Sequence, residues 1–170
     1  MADDGTDALI REGGCGCGAA RYRITGAPIF VNNCHCRQCQ QQTGGTSVVN
    51  AFIEGERFEL LSGELMHHTL KAGSGGPHVI VRCKTCGVAL YSEYPRFGAL
   101  GVGVRVSTLD DPSSLTPDAA IFASEKMPWV TLPEGMPHFE TTYAPAKLLP
   151  PERFARIEAL LLRREQERTA

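Results

Sequence analysis

The chain has 170 residues, with 17 Lys and Arg against 19 Asp and Glu for a formal net charge of -2. That length suits one domain with a short appendage and a sizeable core, and the near-balanced charge leaves no bulk attraction for nucleic acid or an acidic membrane. No apolar run approaches the roughly 18 residues of a membrane span, and the acidic start Met1-Ala-Asp-Asp-Gly-Thr-Asp7 lacks the basic and apolar regions of a signal peptide, so the reading is a cytoplasmic protein with no nucleic-acid or membrane partner.

Taken in order, residues 1–7 read as a disordered lead and residues 8–145 as one domain. From Ala8 to Thr25 a glycine-rich stretch gives way to alternation, Tyr22 and Ile24 against Arg21 and Arg23, which predicts a strand entering and leaving a turn at Cys15 and Cys17. Ile29-Phe30-Val31 is a short strand leading to Cys34, and Arg37–Thr43 reads as one or two helical turns ended by Gly44-Gly45. Ser47–Ile53 and Phe58–Leu61 are strands. Leu65–Leu70 and His78–Arg82 flank a flexible loop ending at Pro77, and Val88–Tyr94 continues as strand, so Cys83-Lys84-Thr85-Cys86-Gly87 sits on a hairpin tip. Leu100–Val106 predicts a strand whose Gly101 and Gly103 serve close packing, since no third glycine or helix pattern makes a dinucleotide fingerprint.

Asp110–Pro145 is proline-rich and irregular, with short strands expected at Ala120–Ala123 and near Trp129–Leu132. Residues 150–168 read as an amphipathic helix, Pro151 in its first turn and Phe154, Ile157 and Leu161 on one stripe. That stripe docks on the chain's own domain or on a second copy in a homodimer; the sequence does not choose.

The chemistry is concentrated in seven cysteines. In a reducing compartment, clustered thiols bind metal or react more often than they pair as disulfides. Cys34-His35-Cys36-Arg37-Gln38-Cys39 places three thiols within six residues, and three thiolate ligands on a tetrahedral ion leave one position open. The other four stand as Cys15-Gly16-Cys17 and the knuckle-spaced Cys83 and Cys86, together a closed four-thiolate site. The residues alone leave open whether the three-cysteine cluster is an open metal site, a second closed site completed by His35, His67, His68, His78 or His138, or a metal-poor redox cluster. Arg37, Arg82, Lys84 and Arg105 are candidates for meeting the carboxylates of a peptide thiol. His67 and His68 read as solvent-facing strand residues, and Trp129 as a pocket wall, core residue or anchor.

Gly14-Cys15-x-Cys17-Gly18, Cys34-His35-Cys36-x-x-Cys39 with Thr43-Gly44, and Cys83-x-x-Cys86-Gly87 together resemble the glutathione-dependent formaldehyde-activating enzyme family, also called the CENP-V/GFA domain, over roughly residues 8 to 140. The resemblance implies a mainly β, Mss4-like fold of several coiled antiparallel sheets around a structural zinc, followed here by the C-terminal helix. It implies two zinc ions per chain: a structural one on Cys15, Cys17, Cys83 and Cys86, and a catalytic one on Cys34, Cys36 and Cys39. The activity it implies is that of a carbon-sulfur lyase joining glutathione and formaldehyde into S-(hydroxymethyl)glutathione. Two other readings stand beside it: the same scaffold acting on a different substrate, and a zinc-stabilised binding module without catalysis.

Overall fold

Short strands, regularly alternating in burial at Arg21–Thr25 and Ala89–Glu93, build two sheets. A computed structural model describes residues 9–73 and 75–169; the expected lead at 1–7 lies outside them. The strands are β1 (Ile10–Gly14), β2 (Arg21–Thr25), β3 (Phe30–Cys34), β4 (Val48–Glu54), β5 (Phe58–Ser62), β6 (Leu65–Lys71), β7 (Pro77–Cys83), β8 (Ala89–Glu93), β9 (Gly101–Arg105) and β10 (Ala119–Ile121). The helices are α1 (Arg37–Thr43), α2 (Pro145–Leu148) and α3 (Pro151–Thr169). A small sheet has the order β1-β2-β5, and a large one β10-β3-β4-β9-β8-β7-β6. All pairs are antiparallel except β10, which lies parallel to β3. The fold is therefore mainly β, as expected.

One face of the large sheet meets the small one. Tyr22 and Ile24, both fully buried, pack with Val31, Ala51, Ile53, Leu90, Val102 and Val104, and the same cluster includes Cys15 and Cys83. The period of two then sends the alternate residues to the opposite face. Phe30, Asn32 and Cys34 of β3, Asn50 and Phe52 of β4, and His78 of β7 thus share the face that carries the cavity described below. Buried beside them, Arg105 donates from Nη2 to Gln42 Oε1 at 3.0 Å and Ser92 Oγ at 2.8 Å, and from Nη1 to Asn50 Oδ1.

The expected stripe of α3 docks on this same chain. Ile157 and Leu160 are buried against Ile29, Phe30, Phe97 and Leu149, while Leu161, the residue expected from the 3.6 period, is only half-buried. The strand expected near Trp129–Leu132 does not form. That segment is turn and coil, and Trp129 is 72% exposed, so it serves neither as core nor as a cavity wall. Pro128 and Pro133 bracket the segment and deprive it of ladder donors. Among the described residues no helix is long and apolar enough to cross a membrane.

Polar clamps fix α3. Arg156 donates to both Glu54 oxygens at 2.7 and 2.6 Å and to Ala27 O at 3.0 Å, and Arg153 donates to Ile29 O and both Asp118 oxygens. Burial alone would push the Glu54 carboxyl up, but the guanidinium groups of Arg156 and Arg57 hold it below its ordinary value. A depressed folded pKa means stabilisation that is complete above the ordinary value of 4.5 and lost as pH falls through the folded one. Arg156→Ala is expected to cost about 2 kcal/mol near neutral pH, because the buried Glu54 carboxylate loses its two-pronged partner and keeps only Arg57. In urea titrations the gap from wild type narrows as the pH is lowered below that ordinary value.

The β5–β6 turn carries a second backbone constraint. Gly63 has φ +87°, and a Cβ there would lie 2.3 Å from Ala19 O. Gly63→Ala is expected to lose about 2 kcal/mol or more in the same titration, since strain and a backbone clash act together.

Candidate metal centres and the cavity beside them

The four-cysteine cluster forms where two hairpin ends meet. After β1 the chain turns at Cys15: Gly18 N–H donates to Cys15 O at 3.2 Å, and Ala20 donates its N–H to Cys15 Sγ, also at 3.2 Å. After β7 the second turn closes with Gly87 N–H on Cys83 O at 2.9 Å, Gly87 taking φ +74°, a conformation that glycine adopts without strain. Cys15 Sγ lies 3.4 Å from Cys17 Sγ and Cys17 Sγ lies 4.0 Å from Cys83 Sγ, and all four sulfurs fall within 4.8 Å of one another. Burial pushes the Cys15 thiol up, yet the Ala20 N–H and the neighbouring thiols bring it down to about 6. Such a cluster can hold a metal ion.

The three-cysteine cluster forms at a strand-to-helix junction. Cys34 is the last residue of β3, and Cys36 is the N-cap of α1, its sulfur accepting from Cys39 N–H at 3.4 Å. Cys39 sits in the first turn, three residues on, so its side chain returns to the same side. Buried Gln40 pins the junction by donating to His35 O at 2.7 Å and Glu125 O at 2.9 Å, while Glu125 Oε2 accepts from Arg37 N–H at 2.6 Å. The three sulfurs also lie within 4.8 Å of one another. Hydrogen bonds from Cys34 and then Cys39 hold Cys36 far below the ordinary thiol range, whereas its bond to Cys36 drives Cys34 up. One thiolate is thus stabilised at its neighbours' expense until a cation takes their place.

Among the described residues, no histidine, carboxylate or further cysteine joins the three sulfurs as a fourth close ligand. His35 is buried with its Nδ1–H on Thr46 O at 3.3 Å, and His67, His68 and His138 are exposed. The strand histidines therefore face solvent, as expected. His78 is different. It is 1% exposed, lines the same cavity as the cysteines, and has no hydrogen-bond partner on either ring nitrogen. Burial, and then the charge of Arg105, lower it to about 4, so it is neutral at physiological pH.

The cavity has a volume of about 900 Å³, with Cys34, Cys36 and Cys39 on its lining. Exposed Arg37, Lys71 and Arg96 stand around it. Of the four cations expected to meet carboxylates, only Arg37 is among these. Lys84 pairs with Glu64, Arg82 donates to Gly87 O at 2.9 Å, and Arg105 is consumed by its buried polar partners. Lys71 and Arg96 lie far from the cysteines in sequence, and nothing in their local pattern marks them.

The chain matches the family model described as "Glutathione-dependent formaldehyde-activating enzyme" over residues 10–125. A relative from Halomonas elongata, described as "Putative glutathione-dependent formaldehyde-activating enzyme", is 28% identical over 131 residues, covering 73% of this chain and 82% of that protein. A solved structure of a Rhodobacter sphaeroides protein aligns with a TM-score of 0.47 at 19% identity, covering 61% of this chain and 93% of that one.

Proposed function

Because the chain belongs to the glutathione-dependent formaldehyde-activating enzyme family, we propose that it is a zinc-dependent carbon-sulfur lyase that adds a small thiol to an aldehyde, with glutathione and formaldehyde giving S-(hydroxymethyl)glutathione. The observation that carries this reading is a cluster of three sulfurs within 4.8 Å of one another, opening on a cavity of about 900 Å³ and lacking a fourth close protein ligand among the described residues.

The residues fit zinc. Zn–S bonds of about 2.3 Å in a tetrahedron put sulfurs about 3.8 Å apart, and the spacings of 3.4 and 4.0 Å in the four-cysteine cluster bracket that value. Cys15, Cys17, Cys83 and Cys86 would hold a structural ion, and Cys34, Cys36 and Cys39 a catalytic one. When bound there, zinc supplies an exchangeable fourth position at which a thiol loses its proton near neutral pH.

The chain's own groups do the rest. Arg37, Lys71 and Arg96 meet the two carboxylates of glutathione, the arginines in bidentate geometry. Phe30, Phe52, Tyr94 and Phe122, which line the cavity, exclude water around the sulfur and the aldehyde carbon. Addition forms one carbon-sulfur bond while the carbonyl π pair moves to oxygen, which takes up the proton that the thiol gave. Neutral His78, on the lining of the same cavity with its ring nitrogens unpartnered, would donate a hydrogen bond to that oxygen.

The test is exchange NMR of glutathione and formaldehyde at equilibrium, comparing zinc-loaded protein with the uncatalysed reaction. Acceleration that depends on zinc supports the proposal. No acceleration at full zinc occupancy removes the formaldehyde activity and leaves another substrate or a binding role.

A further inference from the structure

The floor of the cavity is a row of four rings, three carried by β3, β4 and β7 and the fourth by Tyr94, just past the end of β8. Phe30 of β3 pairs in register with Phe52 of β4, and their rings stack with centroids 4.3 Å apart. Phe52 in turn sits opposite Gly103 of β9, and a Cβ at Gly103 would come within 3.2 Å of both Phe52 and Tyr94. The missing side chain lets those two rings close over the strand to 5.4 Å. Tyr94 then stacks on His78 at 4.4 Å and 23° between planes. All four rings line the cavity that contains Cys34, Cys36 and Cys39.

Two further features mark this floor as more than core packing. Phe122 lines the same cavity in the left-handed region, φ 55° and ψ 43°, and is the only non-glycine residue with positive φ among the described residues. Strain of this kind in a bulky aromatic is held in place by the surrounding fold and concentrates at ligand sites. Both ring nitrogens of His78, meanwhile, are buried and unpartnered, a cost that a ligand carrying a polar atom relieves. With glutathione on Arg37, Lys71 and Arg96, a one-carbon aldehyde would still leave the row of rings without a partner.

Building on the thiol-addition reading, we propose that the aldehyde taken by this site carries an aromatic group, which lies on the Phe30–Phe52–Tyr94–His78 floor. The step is the same addition: the sulfur bonds to the carbonyl carbon, and the oxygen receives the π pair and the thiol proton. No further reactant is needed.

The probe is phenylacetaldehyde, whose carbonyl is not conjugated with its ring, run with glutathione and the zinc-loaded full chain in exchange NMR beside formaldehyde. Acceleration of the phenylacetaldehyde addition is expected. Phe52→Leu, which keeps an apolar side chain but removes the stacked ring, is expected to lower the phenylacetaldehyde-to-formaldehyde ratio about fivefold. Acceleration confined to formaldehyde overturns the inference and leaves the thiol-addition reading standing. No acceleration with either aldehyde overturns both, and an unchanged ratio in Phe52→Leu overturns the placement of the ring. Titration calorimetry on the unaltered protein needs no variant: S-benzylglutathione is expected to bind about tenfold more tightly than S-methylglutathione, and equal affinities contradict the proposal.

Discussion

Cys36→Ser is expected to abolish the zinc-dependent exchange of glutathione with formaldehyde, by at least about a hundredfold, while the fold and one zinc per chain survive. The separation follows from where the sulfur sits. Cys36 is a half-buried N-cap at the cavity, packed only on the edge of the small cluster of Cys34, Cys39 and Val48. A serine hydroxyl still accepts from Cys39 N–H, so α1 keeps its cap. What disappears is one of the three sulfurs that would hold the ion. Zinc analysis and circular dichroism on the same sample read the two halves of the expectation: zinc falls from two to one per chain and the spectrum does not change. Full activity in Cys36→Ser would take the three-cysteine cluster out of the reaction.

Cys83→Ser is expected to do the reverse and damage the whole molecule. Cys83 is 1% exposed and belongs to the main core cluster with Tyr22, Ile53 and Leu90. It brings the end of β7 to Cys15, the residue after β1, across 68 residues of chain. A structural zinc supplies apparent folding free energy of about 10 kcal/mol or more, the scale of a whole domain's stability. Losing one of four ligands is expected to lower the melting temperature by about 15 °C or abolish the transition, with both ions lost because β3 and its Cys34 lean on the same core. Scanning calorimetry checks this. A melting temperature within a few degrees of wild type would mean that the four-cysteine cluster is not structural.

Much of this is legible in the sequence. The cysteine spacings divide seven thiols into four and three, and the alternation at Arg21–Thr25 is borne out by the complete burial of Tyr22 and Ile24. Counting back by two from Cys34 reaches Asn32 and Phe30, both on the cavity, so part of its wall was present as a pattern in one strand. Phe52, Tyr94 and His78 were not, because placing them beside the cysteines needs the cross-strand register, which the spacing of residues along one strand does not encode. Gly103 carries the same lesson. The sequence predicts close packing at that glycine, and the structure adds what packs there, the rings of Phe52 and Tyr94. The strand expected at Trp129–Leu132 failed because local β-propensity has no force between two prolines without a partner edge. Leu160 rather than Leu161 is the buried leucine of α3, a shift of one position that the groove between Phe97 and Gly101 decides.

The central claim is that one chain holds two zinc ions in different states, one closed by four thiolates and one held by three with an exchangeable fourth ligand. Zinc X-ray absorption on the full chain, with glutathione added and withheld, measures it most directly. The account predicts two ions per chain, an average of three and a half sulfurs each without glutathione and four with it, as the incoming thiol replaces a lighter ligand. Four sulfurs on both ions before glutathione is added, or a sulfur count that glutathione does not raise, would contradict it.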